Sequence, residues 1–125
     1  FRHVSQAVER VAPMRLFNES RGVLLAEKLT VADTFWKRLR GLLGTREWPE
    51  GNAFLLRPCN SVHMFGMKYC LDVLFLDRQN IVLAAVESLA PGRLKLCRGA
   101  KCVVELPDGT VRRTGTRCGD QLQIL

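Results

Sequence analysis

Apolar residues outrun simple alternation over residues 70–76 (CLDVLFL), where both faces of an extended segment carry leucine, valine or phenylalanine. A strand that is apolar on both sides is a central one, covered above and below. Residues 81–87 (IVLAAVE) resume the pattern after DRQN, a run of turn formers, so the two segments predict a hairpin. Shorter runs predict further strands. MRLFN (14–18) and VLLAEKL (23–29) are joined by ESRG; AFLLR (53–57) stops at Pro58; LKLC (94–97), AKCVVEL (100–106) and QLQIL (121–125) follow. PDGT (107–110) reads as a turn that opens a single helical turn.

The period changes once. In TVADTFWKRLRGLLG (30–44), Phe35, Trp36, Leu39, Leu42 and Leu43 fall on one stripe, with Lys37, Arg38 and Arg40 around it. That is the repeat of roughly 100° per residue that marks an amphipathic helix. Thr30 or Asp33 suits its start and Gly44 its end. Many short strands and one principal amphipathic helix, about residues 31–43, predict a mainly β (α+β) fold. The expected form is a compact, barrel-like antiparallel or mixed sheet with the helix over one open face.

A chain of 125 residues, 47% hydrophobic and 25% charged, suits one domain with its own core. We expect that domain over residues 14–125. Residues 1–13 (FRHVSQAVERVAP) read as a loose lead-in to a natural start at Met14. They hold no apolar stretch of the signal-peptide kind. No window reaches the 18 or so apolar residues of a membrane span. Five cysteines, an odd number with no CxxC pair, fit reduced thiols and a cytoplasmic setting.

Net charge is +7, from 19 Lys and Arg against 12 Asp and Glu. A basic surface attracts polyanions without selecting one. No RNA-recognition, KH or zinc-finger signature accompanies it, so nucleic acid is a rival partner resting on charge alone. Phosphate-loop, dinucleotide, GxSxG, HExxH and EF-hand motifs are also lacking. The residues therefore call for no metal or cofactor.

Candidate chemistry gathers around RPCNSVHMFGMKYCLDVLFLD (57–77). Asp72 shares a strand face with leucines, and Glu105 stands among valines in VVELP. A carboxylate buried without partners costs several kcal/mol, so each acid predicts a donor. For Asp72 the candidates are Asn60, Ser61, His63, backbone N–H groups of the loop before it, or an arginine. For Glu105 they are an arginine, His63, or the turn at 107–109. The expected site has Cys59, Asn60, Ser61 and His63 as polar contacts and Met64 and Met67 as an apolar wall. Asp72 and Glu105 back it.

In order and spacing, ADTFWKRLRGLLG, the 57–77 stretch, RGAKCVVELPDGT and CGDQLQIL resemble the domain-of-unknown-function family 192. Ser61, His63, Met67, Leu71 and Asp72 fall on its central motif. Glu105 to Gly109 match its Glu-Leu-Pro-x-Gly segment, and Gly119 with Asp120 its late Gly-Asp. The resemblance implies a small, mainly β fold and no assigned activity, substrate or cofactor. Some members carry an export or anchor segment; this chain shows none, which favours the cytoplasmic reading. Met64 and Gly66 stand where the family often has threonine and a second aromatic, which leads us to expect a pocket of different shape.

These residues fit a non-enzymatic module binding a small molecule or a protein partner through residues 59–67, away from membranes. The enzyme alternative is a hydrolase or transferase with His63 as general base, oriented by Asp72 or Glu105. All of this expects the groups at 63, 72 and 105 to converge.

Overall fold

The computed structural model describes residues 14–32, 42 and 44–125. In chain order the strands are β1 (Leu16–Asn18), β2 (Val23–Ala26), β3 (Lys28–Ala32), β4 (Asn52–Leu56) and β5 (Ser61–His63). They continue as β6 (Leu71–Leu76), β7 (Val82–Leu89), β8 (Leu94–Leu96) and β9 (Cys102–Pro107). Helix α1 (Thr110–Thr114) and strand β10 (Leu122–Ile124) close the order.

Strand β6 organises the rest. All six of its residues are buried. It lies between β7 and β9 in a five-stranded sheet ordered β3-β4-β9-β6-β7. Its two faces feed two separate clusters. Leu74 and Leu76 pack with Val104 and Leu106 of β9 and with Leu16, Leu25 and Leu122 of a second sheet, ordered β10-β1-β2. Leu71, Val73 and Phe75 pack on the other side with Phe54, Leu56 and Val103, under Val62 and Met64. Val62 belongs to a third sheet, the two-stranded ribbon of β5 and β8.

The fold is mainly β with parallel and antiparallel pairing, as the pattern predicts, and among the described residues its sheets do not close into a barrel. A strand that is apolar on both faces needs cover on both. The chain answers with layers stacked on β6 instead of one sheet curling to meet itself. The 23–29 run makes this visible. It breaks at Glu27, where the N–H groups of Glu27 and Lys28 both donate to the Gly51 carbonyl, at 2.9 and 3.0 Å. Strand β2 stays in the three-stranded sheet, while β3 leaves it to run parallel to β4.

Of the expected helix, residues 31 and 32 are the end of β3. Residues 33–41 and 43 lie outside the described residues, and Leu42 is buried in the second cluster. The lead-in at 1–13 also lies outside them. Among the described residues the single helical turn predicted after Pro107 is α1. The 58–68 segment, expected to be a loop throughout, forms β5 in its middle.

Candidate functional site

Asp72 is fully buried, and its donors are backbone groups far from the 58–68 loop. Oδ1 accepts the Ser88 N–H at 2.9 Å and Oδ2 the Val111 N–H at 2.7 Å. Neither donor has an acceptor within its own element. Pairing shifts from Leu71↔Leu89 to Val73↔Val86, so β7 carries one extra residue opposite Asp72. Ser88, at φ 50°, turns its N–H out of the ladder toward the carboxylate. Val111 sits in the first turn of α1, whose N-cap is Gly109, with no side chain to offer. Asp72 thus caps α1 and fastens the β7 bulge. Among the described residues, no hydrogen bond joins Asn60, Ser61 or His63 to it.

Glu105 points the other way. On β9, Val104 and Leu106 face the first cluster, while Val103 and Glu105 face the second. Its side chain is 5% exposed, and Oε1 has no hydrogen-bond partner among the described residues. Burial pushes its carboxyl up to about 7. The arginine, histidine or turn donor expected from sequence is not found among them. Its surroundings are aromatic. The Trp48 indole N–H donates to the Glu105 carbonyl at 3.2 Å, and Trp48 meets Phe54 edge-on at 6.3 Å. Burial also raises the Tyr69 hydroxyl; its hydrogen bond with Thr45 opposes this, and the charges of Glu105 and Glu47 add to it.

His63 is exposed and stacks on Phe65, ring centroids 5.2 Å apart and planes inclined by 24°. No hydrogen bond joins it to Asp72 or Glu105 among the described residues. The three ionisable groups therefore occupy three places: the inner face toward the three-stranded sheet, the opposite inner face, and the outside. Met64, expected in a pocket wall, is fully buried core, and Met67 packs beside that core. Cys59 donates its thiol to the Ser61 carbonyl at 3.0 Å, while Asn60 is exposed.

What the 59–67 segment does build is a surface. Strands β5 and β8 pair antiparallel, with Ser61↔Leu96, Val62↔Lys95 and His63↔Leu94. Val62 turns inward, so Ser61, His63, Leu94 and Leu96 share the outer face. Five large apolar side chains are exposed among the described residues. Three of them, Phe65, Leu94 and Leu96, at 55, 64 and 59%, are here. Met64 N–H donates to the Arg93 carbonyl at 2.7 Å and Cys97 N–H to the Asn60 carbonyl at 2.9 Å. Antiparallel pairs alternate between bonded and unbonded, so these two bonds leave 61/96 and 63/94 unbonded. Leu94 and Leu96 therefore direct their N–H and C=O groups outward along an edge that no other strand pairs among the described residues.

Sequence reasoning missed a second polar centre, although its Gly119-Asp120 signal was visible. Asp120 is buried and takes a forked pair of bonds from Arg21, Nε and Nη2 both at 3.1 Å. Asn18 Nδ2 donates to it and to Thr116 Oγ1, each at 3.0 Å, and the Arg117 N–H adds a bond at 3.1 Å. Burial raises the Asp120 carboxyl, but the donors from Arg21, Asn18 and Arg117 outweigh it and hold the group below its usual range. This centre ties the chain's end to β1. It is closed, so it serves the fold.

The cysteines are free thiols. No helix among the described residues is long and apolar enough to cross a membrane.

The profile of family DUF192, described as "Uncharacterized ACR", matches residues 16–124. A UPF0127 protein of Thermococcus sibiricus is 33% identical over 112 residues, which are 86% of this chain and 72% of the relative. A UPF0127 protein of Pyrococcus abyssi is 32% identical over 113 residues, 86% of this chain and 95% of the relative. Two solved structures share the fold. One, a Novosphingobium aromaticivorans protein of unknown function, has a TM-score of 0.76 at 18% identity, covering 89% of this chain and 83% of that one. The other, from Sinorhizobium meliloti 1021 and described only as a candidate transcription regulator, has a TM-score of 0.75 at 24% identity. It covers 89% and 91% of the two chains.

Proposed function

The chain belongs to the domain-of-unknown-function family 192, whose matched relatives carry no named activity, so its function is read from its own surface; we propose a non-enzymatic module that docks a protein partner on the β5–β8 ribbon. The partner supplies an extended segment with apolar side chains at alternate positions and acidic groups between or beside them. One observation carries this reading: the free edge of β8 coincides with the exposed apolar face of His63, Phe65, Leu94 and Leu96.

Edge strands with unpaired backbone groups and exposed apolar side chains invite pairing, and proteins normally blunt them. This one is short, three residues with Lys95 at its centre, but it keeps Leu94 and Leu96 exposed on one face. A groove of about 340 Å³ runs beside it, between residues 86–90 and residues 93–95. Its far wall is β7, the outermost strand of the central sheet. An extended chain laid there gains main-chain hydrogen bonds from β8, while alternate side chains meet the apolar face. Charge selects its composition. Arg93, Lys95 and Arg98 are exposed on β8 and its flanks, and neither β5 nor β8 carries an acid. Glu87, the acid on the groove wall, is engaged by Arg112 at 3.5 Å. An apolar centre with a basic rim fits an acidic amphipathic strand.

The hydrolase alternative lacks its acid: Asp72 spends both oxygens on backbone donors, and Glu105 faces the second core. The nucleic-acid alternative rests on net charge and on the wording attached to one fold neighbour, whose 24% identity carries the fold only.

Peptide display against the protein tests the proposal. Enriched sequences are expected to alternate apolar residues with Asp or Glu. Their binding is expected to fall at least tenfold in Leu94→Ser/Leu96→Ser. Selection of basic peptides, or of peptides that the double variant binds equally, overturns it. So does a dimer in sedimentation that Leu94→Ser/Leu96→Ser dissociates, because a second copy would then own the face.

A further inference from the structure

A second concavity lies away from the ribbon. It is an open basin of about 430 Å³ whose lining includes Trp48 and Tyr69, with Glu47, Glu50 and Asp108 around it. That volume falls within the range of small-ligand sites. We propose that this basin binds a small organic cation of the alkylammonium class, seated between the Trp48 and Tyr69 rings.

Three features converge on that chemistry. First, both rings are held before any ligand arrives. Trp48 is fixed by its indole N–H on the Glu105 carbonyl and by the edge of Phe54. The Tyr69 hydroxyl is tied to Thr45 Oγ1 at 2.6 Å. Fixed aromatic faces attract a cation through their quadrupoles, and fixing them beforehand lowers the cost of binding. Second, among the described residues the lining bears acids and no lysine or arginine, in a protein whose net charge is +7. Glu50 meets Arg113 at 3.4 Å and Asp108 accepts the Ser88 hydroxyl, which leaves Glu47 as the acid without such a contact among the described residues. Third, Glu105 lies behind the aromatic wall, nine-tenths buried, with Oε1 unpartnered among the described residues. A buried polar atom without a partner is rare enough to require a reason. Glu105 is not itself a lining residue, and a cation held at the two rings sits across Trp48, whose indole N–H meets the Glu105 main-chain carbonyl.

The probe is n-butylammonium chloride, followed by NMR through the Trp48 indole N–H. Trp48→Phe in a reference spectrum identifies that signal against the chain's other tryptophan, Trp36. The expected result is a saturable shift at millimolar probe, with none from n-butanol or sodium butyrate at equal concentration. Affinity is expected to fall at least threefold in Glu47→Gln and in Glu105→Gln, and binding to be lost in Trp48→Leu, each with a folded amide spectrum. Equal shifts from butanol overturn the proposal by showing an apolar basin indifferent to charge. Undiminished binding in folded Trp48→Leu overturns it as well, and so does the absence of a saturable shift. None of these outcomes touches the ribbon, so this site and the docking face stand or fall separately.

Discussion

Asp72 and Glu105 stand on neighbouring strands, one register step apart, and project to opposite faces of the central sheet. Asp72 pairs with Leu106, and Glu105 with Val73. Two acids that look like partners in sequence therefore answer to different surroundings. Asp72 is satisfied by two backbone donors, whereas Glu105 Oε1 has no partner among the described residues.

The Asp72 contacts predict a large and local cost. Asp72→Ala leaves the Ser88 and Val111 N–H groups without their acceptor, one in the bulge and one in the first turn of α1. A lost buried acceptor costs roughly 1–3 kcal/mol per stranded donor. We expect urea denaturation to show a loss of about 2–5 kcal/mol. Hydrogen exchange should accelerate first at Val111 and along α1. An exchange pattern unchanged there would contradict the capping role.

For Glu105 the sign is opposite to that of an ordinary salt-bridged acid. Its folded carboxyl is raised from 4.5 to about 7. Between those values the folded state holds a proton that the unfolded state has released. Stability therefore falls as pH rises from about 4.5 to 7, by an amount on the order of 3 kcal/mol in full. Glu105→Gln, which mimics the neutral acid, is expected to lack this fall and to exceed the wild type in melting temperature at pH 8. A parallel pH profile for the two proteins would contradict it.

Asp120 behaves in the conventional sense. Its carboxyl is held below the usual value, so its contribution is present above about pH 4 and is lost as pH falls below that. Arg21→Met removes the forked bond and leaves a buried acid short of donors. We expect a loss of about 1–3 kcal/mol at pH 7 that shrinks toward pH 3, measured by chemical denaturation.

The ribbon has an inner and an outer face, and they should answer differently to truncation. Val62→Ala removes two methyl groups from packed core and is expected to cost about 1–2 kcal/mol. Leu94→Ser and Leu96→Ser act on side chains more than half exposed and should stay within about 0.5 kcal/mol of wild type. Thermal unfolding of the three variants separates the faces.

Much of the fold was legible because β6 wrote its environment into its own composition. LDVLFL has no polar face, so it had to be central, and DRQN marked its hairpin with β7. The layering was not legible, since one apolar strand predicts that cover exists without saying which strands supply it. Strand β5 went unseen because SVH is three residues long and is stabilised by LKL, which lies some thirty residues away. The site was legible in part. Asp72 and Glu105 were marked as acids in apolar strands, and the 59–67 segment as special. Their convergence failed because strand parity is counted separately on β6 and β9, and only the register between them decides which face each acid shares. Trp48 and Tyr69 gave no signal, as each stands in irregular chain and is brought to Glu105 by the fold.

The measurement that tests the docking reading most directly is amide hydrogen exchange on the protein bound to a peptide selected against it. Strand addition to β8 predicts that the Leu94 and Leu96 amides, directed outward in the free protein, become protected at least tenfold. The β7 and β9 amides should change little. Protection that leaves Leu94 and Leu96 untouched and appears elsewhere would contradict the account.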